Sequence, residues 1–300
     1  HPSEVVSVWV TGRVAASFPS GEETRHYGLQ PNQAYTLVQR DGRPDMTVIR
    51  LAGDSELPPE SAIDGRLLPS PKPVMVPVKL LVDDDEPAVQ SVWEPRLRSR
   101  LAEASDILQR HCGVQLEVVA VGTWQSDNGV NDFGQSLAEF ERKVRPSPAM
   151  LAIGFTSQYH IPPRHVPLGG TRGPLYPWIL IREWSQHVTT SERLEVLVHE
   201  LGHVFGAAHS PESVSVMRPM LGDRQSHARS FRIGFDPLNT LAMCLLTNEL
   251  RHAPFRGFAS IRPEGRESLR QVYAALSRAM PDDPAAKRYL EFFQPQPTAE

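Results

Sequence analysis

Apolar positions from residue 74 onward follow strand-like and helix-like patterns in alternation. Apolar runs at 74–82, 114–124, 149–155 and 178–183 have the length and composition of buried strands. A helix over about 93–111 is predicted by apolar residues that share one face, Leu97, Leu101, Ala104 and Leu108, with Gly113 as its stop signal. A shorter helix is predicted at 137–144. This order predicts a mixed α/β layer structure.

The segment TTSERLEVLVHELGHVFG predicts a further helix. Thr189 and Glu192 have the spacing of a capping box. The buried stripe consists of Leu194, Leu197, Val198 and Leu201. Gly206 is the expected end of this helix.

Four regions are predicted along the chain. Short strand-like pieces separated by turn formers indicate a small β-rich N-terminal domain or prosegment at 1–55, and a Pro-rich linker follows at 56–73. The catalytic unit is expected at 74–255, with a helix from about 237 to 250 that Asp236 caps. A C-terminal helical extension at 256–300 should hold one or two helices between 267 and 293.

The composition and charge of the chain argue against nucleic acids and membranes as binding partners. The 300 residues include 40% hydrophobic and 22% charged residues, and the formal charge of -4 comes without long blocks of one sign. We therefore expect no nucleic-acid partner and no polybasic membrane patch. We also expect no membrane span, because no apolar run approaches the roughly 18 residues that a spanning helix needs. The sequence does not indicate an oligomeric state.

Cys112 and Cys244 are the two cysteines of the chain. They could form a single disulfide in an oxidising compartment or remain two buried thiols. The chain begins at His1 and not at Met. Together with the resemblance described below, this start leads us to expect a secreted or cell-envelope protein.

The string HELGH carries the chemistry. His199 and His203 are four residues apart, so on a helix they project from one face and can reach one metal ion. Catalytic zinc normally has three protein ligands and an open position, and His209 supplies the third ligand. Gly206 allows the sharp turn that brings His209 back. Glu200, next to the first ligand, is a general base that takes a proton from zinc-bound water.

The strings HELGHVFGAAHS and SVMRPM resemble the metzincin zinc metallopeptidases, most closely the matrixin branch. The resemblance implies an α+β, zincin-like catalytic domain, with a twisted mixed sheet and an active-site helix. It also implies that Met217 forms a Met-turn near the metal without binding it. Pro219 and Met220 would form a wall of the pocket for the side chain that follows the cut bond. Gly169 and Gly170 lie where metzincins keep the edge strand that binds extended substrate.

Other acidic residues are weaker candidates. Asp54 could ligate zinc in a latent form, as an aspartate does in the astacin-like branch, but a turn aspartate is the simpler interpretation. Asp83, Asp84 and Asp85 could bind calcium if other oxygens converge on them. A solvated turn between strand and helix is the simpler expectation for these three.

The sequence therefore predicts a zinc-dependent endopeptidase that acts on protein or peptide substrates. One alternative is a non-catalytic zinc-containing module that binds proteins. Another is a peptidase that its N-terminal segment keeps latent. The N-terminal segment contains no cysteine, so a latent form would need a plug of a different kind.

Overall fold

The computed structural model describes residues 73–130, 132–158, 168–183, 189–221, 233–252, 257–258 and 261–293, and the backbone of five strands before residue 50. These strands are β1 (Val6–Trp9), β2 (Val14–Ser20), β3 (Glu23–Leu29), β4 (Ala34–Arg40) and β5 (Arg43–Ile49). They pair antiparallel as β1-β4-β5 and β2-β3, in the region predicted to be β-rich. The predicted linker at 56–73 and Asp54 lie outside the described residues, apart from residue 73, and the domain boundaries stay predictions.

A mixed five-stranded sheet forms the centre of the described structure. Its strands are β6 (Val74–Asp83), β7 (Val114–Trp124), β8 (Leu151–Thr156), β9 (Gly169–Gly170) and β10 (Trp178–Arg182). They lie in the order β7-β6-β8-β10-β9, and β9 is the antiparallel edge strand beside four parallel ones. The predicted α+β, zincin-like fold class is thereby confirmed.

Helices cover both faces of this sheet. Helices α1 (Gln90–Cys112) and α3 (Thr190–Val204) share one hydrophobic core with Ile179 and Ile181 of β10. Helix α2 (Phe133–Lys143) shares another core with the intervening Leu180. Because successive side chains of a strand point to opposite faces, this alternation places α2 on the face opposite α1 and α3. Each fully buried Leu or Ile contributes about 1.5–3 kcal/mol.

The start of α3 is determined by a capping box. The Thr189 hydroxyl accepts the backbone N–H of Glu192 at 3.3 Å, and the Glu192 carboxylate accepts the backbone N–H of Thr189 at 2.8 Å. Two N–H groups that the helix itself leaves without partners are therefore satisfied. The capping box fixes where α3 begins, and the helical geometry then sets the positions of the later residues in α3.

Three helices complete the described chain: α4 (Pro237–Leu250), α5 (Pro263–Ala279) and α6 (Pro284–Phe293). They form a separate hydrophobic core whose members include Leu246, Tyr273 and Tyr289. Ala208, in the loop after α3, belongs to the same core. The C-terminal helices therefore pack directly against the segment that carries His209. Among the described residues, no helix has the length and apolarity needed to cross a membrane.

Both cysteines are buried, and Cys112 is a free thiol. The Cys112 thiol donates to the carbonyl of Leu108 at 3.3 Å, and the Cys244 thiol donates to the carbonyl of His111 at 3.2 Å. Burial raises the pKa of Cys112 to about 12. Of the two alternatives that the sequence left open, the structure shows two buried thiols with no bridge between Cys112 and Cys244.

The expectation of a solvated turn is wrong for Asp83. Only 1% of this residue is exposed, and both of its carboxylate oxygens accept the backbone N–H of Ser157, at 3.0 and 2.9 Å. Burial raises the pKa of Asp83 to about 6, although hydrogen bonds from Thr156 and Ser157 work in the opposite direction. Asp84 is exposed as expected. Asp83 therefore connects the ends of β6 and β8.

Candidate metal centre

Helix α3 presents two histidines from successive turns. The Nε2 atoms of His199 and His203 lie 3.1 Å apart, and both side chains are buried. Residues four apart on a helix lie on the same face, so this proximity follows from the helical backbone. The pairing predicted from HELGH is present.

A sharp turn follows α3 at Gly206, whose φ is +99°. The N–H of Gly206 donates to the carbonyl of His203 at 3.2 Å, and the N–H of Ala207 donates to the carbonyl of Gly202 at 2.8 Å. A Cβ at position 206 would stand 3.0 Å from the Tyr273 hydroxyl oxygen. The backbone angle at this turn therefore favours glycine, and the neighbouring side chains leave little space for a Cβ.

The turn brings His209 to the other two histidines. Its ring centroid lies 5.4 Å from that of His199 and 5.0 Å from that of His203. One nitrogen from each ring falls within 4.8 Å of the others. His209 is the more accessible member, since 24% of its side chain is exposed. The three predicted ligands form one cluster.

Each histidine of the cluster has an acceptor at Nδ1. The acceptor is the carbonyl of Val216 for His199 at 2.8 Å and the carbonyl of Ala207 for His203 at 2.9 Å. For His209 the acceptor is a carboxylate oxygen of Asp283 at 2.6 Å. A carbonyl or a carboxylate has no hydrogen to give, so Nδ1 must carry the hydrogen in all three rings. In a neutral ring, Nε2 then carries the lone pair.

The donor set fits a zinc ion. With hydrogens on Nδ1, the Nε2 lone pairs of His199 and His203 face each other at 3.1 Å with no hydrogen between them. A shared cation removes this repulsion. Two nitrogens that bind one tetrahedral zinc at about 2.0–2.1 Å lie roughly 3.3 Å apart, close to the distance found here.

Burial sets the charge of the residues around this cluster. It lowers the pKa of His199 to about 4 and lowers the pKa of His203 well below its ordinary value. Both imidazoles are therefore neutral at pH 7, the form that binds a metal. Burial also raises the pKa of Glu200 to about 8. The Glu200 carboxyl group thus has a high affinity for a proton.

Glu200 lies beside the edge strand of the sheet. A Cβ added at Gly169 of β9 would stand 2.8 Å from Cγ and 3.0 Å from Oε1 of Glu200. Gly170, the other residue of β9, packs against Phe133, which would lie 2.8 Å from a Cβ added there. The structure therefore brings Gly169 to the predicted base, whereas the adjacent glycine packs against α2.

Met217 is fully buried and packs against α3. Its Sδ atom lies 2.7 Å from where a Cβ of Gly202 would stand, so glycine is required there for this close approach. The carbonyl of Met217 accepts the N–H of Ser210 at 2.9 Å, which links the methionine to the residue after His209. Pro219 and Met220 are exposed, and Met220 is 73% exposed. Their contact with substrate stays a prediction.

Comparison with known proteins identifies the family. A family model described as metallo-peptidase family M12 matches residues 77–231, more than half of the chain. The chain belongs to metallo-peptidase family M12. This M12 peptidase is accordingly a metzincin-like zinc peptidase that acts on protein or peptide substrates. No curated protein matches it.

Two solved structures resemble this M12 peptidase at low identity. Archaemetzincin from Methanopyrus kandleri is 18% identical, with a TM-score of 0.38, over 58% of this chain and 95% of that chain. A chain from a structure of a chaperone-substrate complex is 8% identical, also with a TM-score of 0.38, over 81% of this chain and 42% of that one.

Three residues that support the metal centre of this M12 peptidase could not be found from sequence patterns. Asn239 makes two hydrogen bonds to the backbone of Ala208. Its Oδ1 accepts the Ala208 N–H at 2.8 Å, and its Nδ2 donates to the Ala208 carbonyl at 2.9 Å. The Tyr273 hydroxyl donates to the carbonyl of Gly206 at 2.9 Å. The third residue is Asp283. The sequence shows Asp283 only as a turn residue before a helix, 74 residues from its partner.

Proposed function

We propose that this M12 peptidase is a zinc-dependent endopeptidase with His199, His203 and His209 as the zinc ligands and Glu200 as general base. The observation that carries the proposal is the arrangement of the three imidazoles. All three have an acceptor at Nδ1, and their nitrogens converge in one cluster of two buried rings and one partly exposed ring. Such a site fits a metal ion with three protein ligands.

In the proposed reaction Glu200 transfers a proton from the attacking water to the leaving amine. Zinc, when bound, supplies a Lewis acid that polarises a peptide carbonyl and acidifies water. Glu200 takes a proton from the attacking water and later gives it to the leaving amine. Its position supports this role, because Glu200 is buried and directly follows the ligand His199 in α3.

The substrate is proposed to bind in an extended form along β9. This strand is the antiparallel edge of the sheet, and Gly169 lies against Glu200. Added peptide strands pair with such edges through backbone hydrogen bonds. Pro219 and Met220, both exposed, are proposed to contact the side chain that follows the cut bond.

We place the enzyme close to the matrixin branch within the metzincins. The support for this placement is the serine after the third histidine and the string VMRPM around Met217. In the structure the N–H of that serine, Ser210, donates to the carbonyl of Met217 at 2.9 Å. The third ligand and the methionine-containing turn are therefore directly connected.

The test is cleavage of quenched peptides whose two ends are blocked, so that only internal cuts give a signal. The unaltered chain should cleave them, should lose activity with a chelator and should regain activity when zinc is returned. Glu200→Gln should keep zinc but lose cleavage, whereas Glu103→Gln, on an exposed part of α1, should remain active. Cleavage that survives both the chelator and Glu200→Gln would contradict the proposal.

A further inference from the structure

We propose that Asp283 is a positioning residue of the metal centre, and that through it the C-terminal helices are part of the zinc site. The inference rests on the zinc site proposed above. It concerns a part of the chain that lies beyond the family match, which ends at residue 231. Asp283 would act through His209 and would not touch the metal itself.

The contact between Asp283 and His209 is short and largely buried. Oδ1 of Asp283 lies 2.6 Å from Nδ1 of His209, and 8% of the Asp283 side chain is exposed. A charge-assisted hydrogen bond of this length is among the stronger kinds in proteins. Because solvent has little access to the carboxylate, water competes weakly for this hydrogen bond.

His209 differs from the other two ligands in what orients it. Nδ1 of His199 faces a backbone carbonyl 17 residues away. Nδ1 of His203 faces a backbone carbonyl 4 residues away. Both of these histidines also lie within α3, whose backbone limits their orientation. His209 follows the turn at Gly206, and its Nδ1 partner is a side chain 74 residues away. Its ring orientation therefore depends on the C-terminal helices.

The Asp283 carboxylate is itself held in place by the start of α6. Its second oxygen, Oδ2, accepts the backbone N–H of Ala285 at 2.9 Å. The backbone N–H of Asp283 donates to the carbonyl of Met280 at 3.2 Å, at the end of α5. One oxygen therefore binds the helix terminus and the other binds the histidine. The turn between α5 and α6 sets where the carboxylate points.

Helix α5 supports the same loop by a second route. The Tyr273 hydroxyl donates to the carbonyl of Gly206 at 2.9 Å, and Tyr273 is fully buried. Ala208 packs in the hydrophobic core that Tyr273 and Leu276 share. The C-terminal helices thus contact the segment at Gly206, at Ala208 and at His209. This arrangement fits a structural role of the extension in shaping the third ligand.

A carboxylate at Nδ1 has two effects on a metal-binding histidine. It fixes the tautomer that leaves Nε2 free, and it makes that nitrogen a stronger donor to the metal. Removal of such a partner typically weakens metal binding or activity by 10- to 100-fold. We expect an effect of this size at Asp283.

The test is zinc affinity, measured by competition with a chelator on the full chain. Asp283→Ser should bind zinc about 10- to 100-fold more weakly, because serine still caps α6 but does not reach His209. Asp283→Asn, which keeps an acceptor but lacks the charge, should show a smaller loss. The matched control is Asp282→Ser at the exposed neighbour, which should bind zinc like the unaltered chain. The cobalt(II) absorption spectrum should change in Asp283→Ser and stay unchanged in Asp282→Ser.

Leu276→Ala distinguishes orientation of His209 by Asp283 from a general role of Asp283 in stabilising the fold. This variant loosens the core around α5 and leaves the residues at His209 unchanged. If Leu276→Ala weakens zinc binding as much as Asp283→Ser, or if Asp283→Ser binds zinc like the unaltered chain, the positioning role is overturned. If the unaltered chain binds no zinc, the proposed zinc site is wrong and the role of Asp283 falls with it.

Discussion

Gly169 lies directly against Glu200, with no space for a side chain between them. A Cβ at position 169 would stand 2.8 Å from Cγ and 3.0 Å from Oε1 of Glu200, and 3.0 Å from Cδ1 of Ile181. The edge strand β9 and the proposed base can share this space only because residue 169 is glycine. The relationship connects the two parts of the proposed mechanism, the peptide-binding edge and the proton acceptor.

Gly169→Ala should therefore lower peptide cleavage by about 10- to 100-fold, because a displaced base is poorly placed for the reaction. Zinc content should stay unchanged, since residue 169 is not among the three histidines of the cluster. The matched control is Gly122→Ala in β7, where an added Cβ meets no atom within 4 Å. Equal activity of the two variants would show that Gly169 does not restrict Glu200.

Gly206→Ala should reduce both stability and zinc affinity. Its φ of +99° is unfavourable for alanine, and the new Cβ would lie 3.0 Å from the Tyr273 hydroxyl and 3.1 Å from Cδ2 of Leu246. We expect a loss of about 1–3 kcal/mol in the free energy of unfolding, measured with a denaturant. Gly113→Ala, with φ of +71° and its nearest contact at 3.5 Å, tests the backbone strain alone. The prediction fails if Gly206→Ala is no more disruptive than Gly113→Ala.

Arg100 and Glu183 form a buried ion pair that joins α1 to the end of β10. Their two contacts are 2.6 and 2.9 Å long, and each side chain is 5% exposed. Arg100→Met should lower the free energy of unfolding by about 1.5–3 kcal/mol, because Glu183 loses two charged hydrogen bonds and keeps longer contacts to two other arginines. The exposed pair of Arg98 and Glu94 is the control, and Arg98→Met should lower the free energy of unfolding far less than Arg100→Met does. Similar losses in the two variants would contradict this assignment.

Asp83 should make stability depend on pH in the mildly acidic range. Its pKa is raised from 3.8 to about 6 in the folded state, so the folded chain holds the proton more tightly than the unfolded chain. The protonated Asp83 therefore adds up to about 3 kcal/mol to the free energy of unfolding. This contribution is fully present below about pH 4 and is lost as the pH rises through about 6. Urea unfolding of the chelated protein between pH 4 and 7 measures it.

In Asp83→Asn this part of the pH dependence should disappear. The difference in free energy of unfolding between the unaltered chain and Asp83→Asn should therefore change between pH 4 and pH 6 and stay constant above that range. Parallel curves for the two proteins throughout would show that Asp83 does not titrate in this way.

Local sequence rules predicted the elements that local interactions determine. Strand β7 at Val114–Trp124 matches the predicted apolar run, and α3 begins at the capping box of Thr189 and Glu192. Helix α1 begins at Gln90, three residues before the predicted start, and its N-cap Val89 makes no side-chain hydrogen bond. Without a capping side chain the sequence contains no local signal for that boundary.

Local sequence patterns did not predict the features that depend on contacts between distant residues. The burial of Asp83 depends on Ser157, which is 74 residues away, and the partner of His209 is equally remote. The spacing in HELGHVFGAAH specifies the three histidines because a helix and one turn place them. It contains no information about the Nδ1 acceptors of His199 and His209, since Val216 and Asp283 lie elsewhere in the chain.

The zinc content of the purified full chain tests the three-histidine site, and it is measured beside three single variants, His199→Ala, His209→Ala and His252→Ala. His252 is an exposed histidine outside the cluster. We predict about one zinc ion per chain in the unaltered protein and in His252→Ala, with a large loss in the two cluster variants. A chain that carries no zinc, or cluster variants that retain as much zinc as His252→Ala, would contradict the assignment of this site.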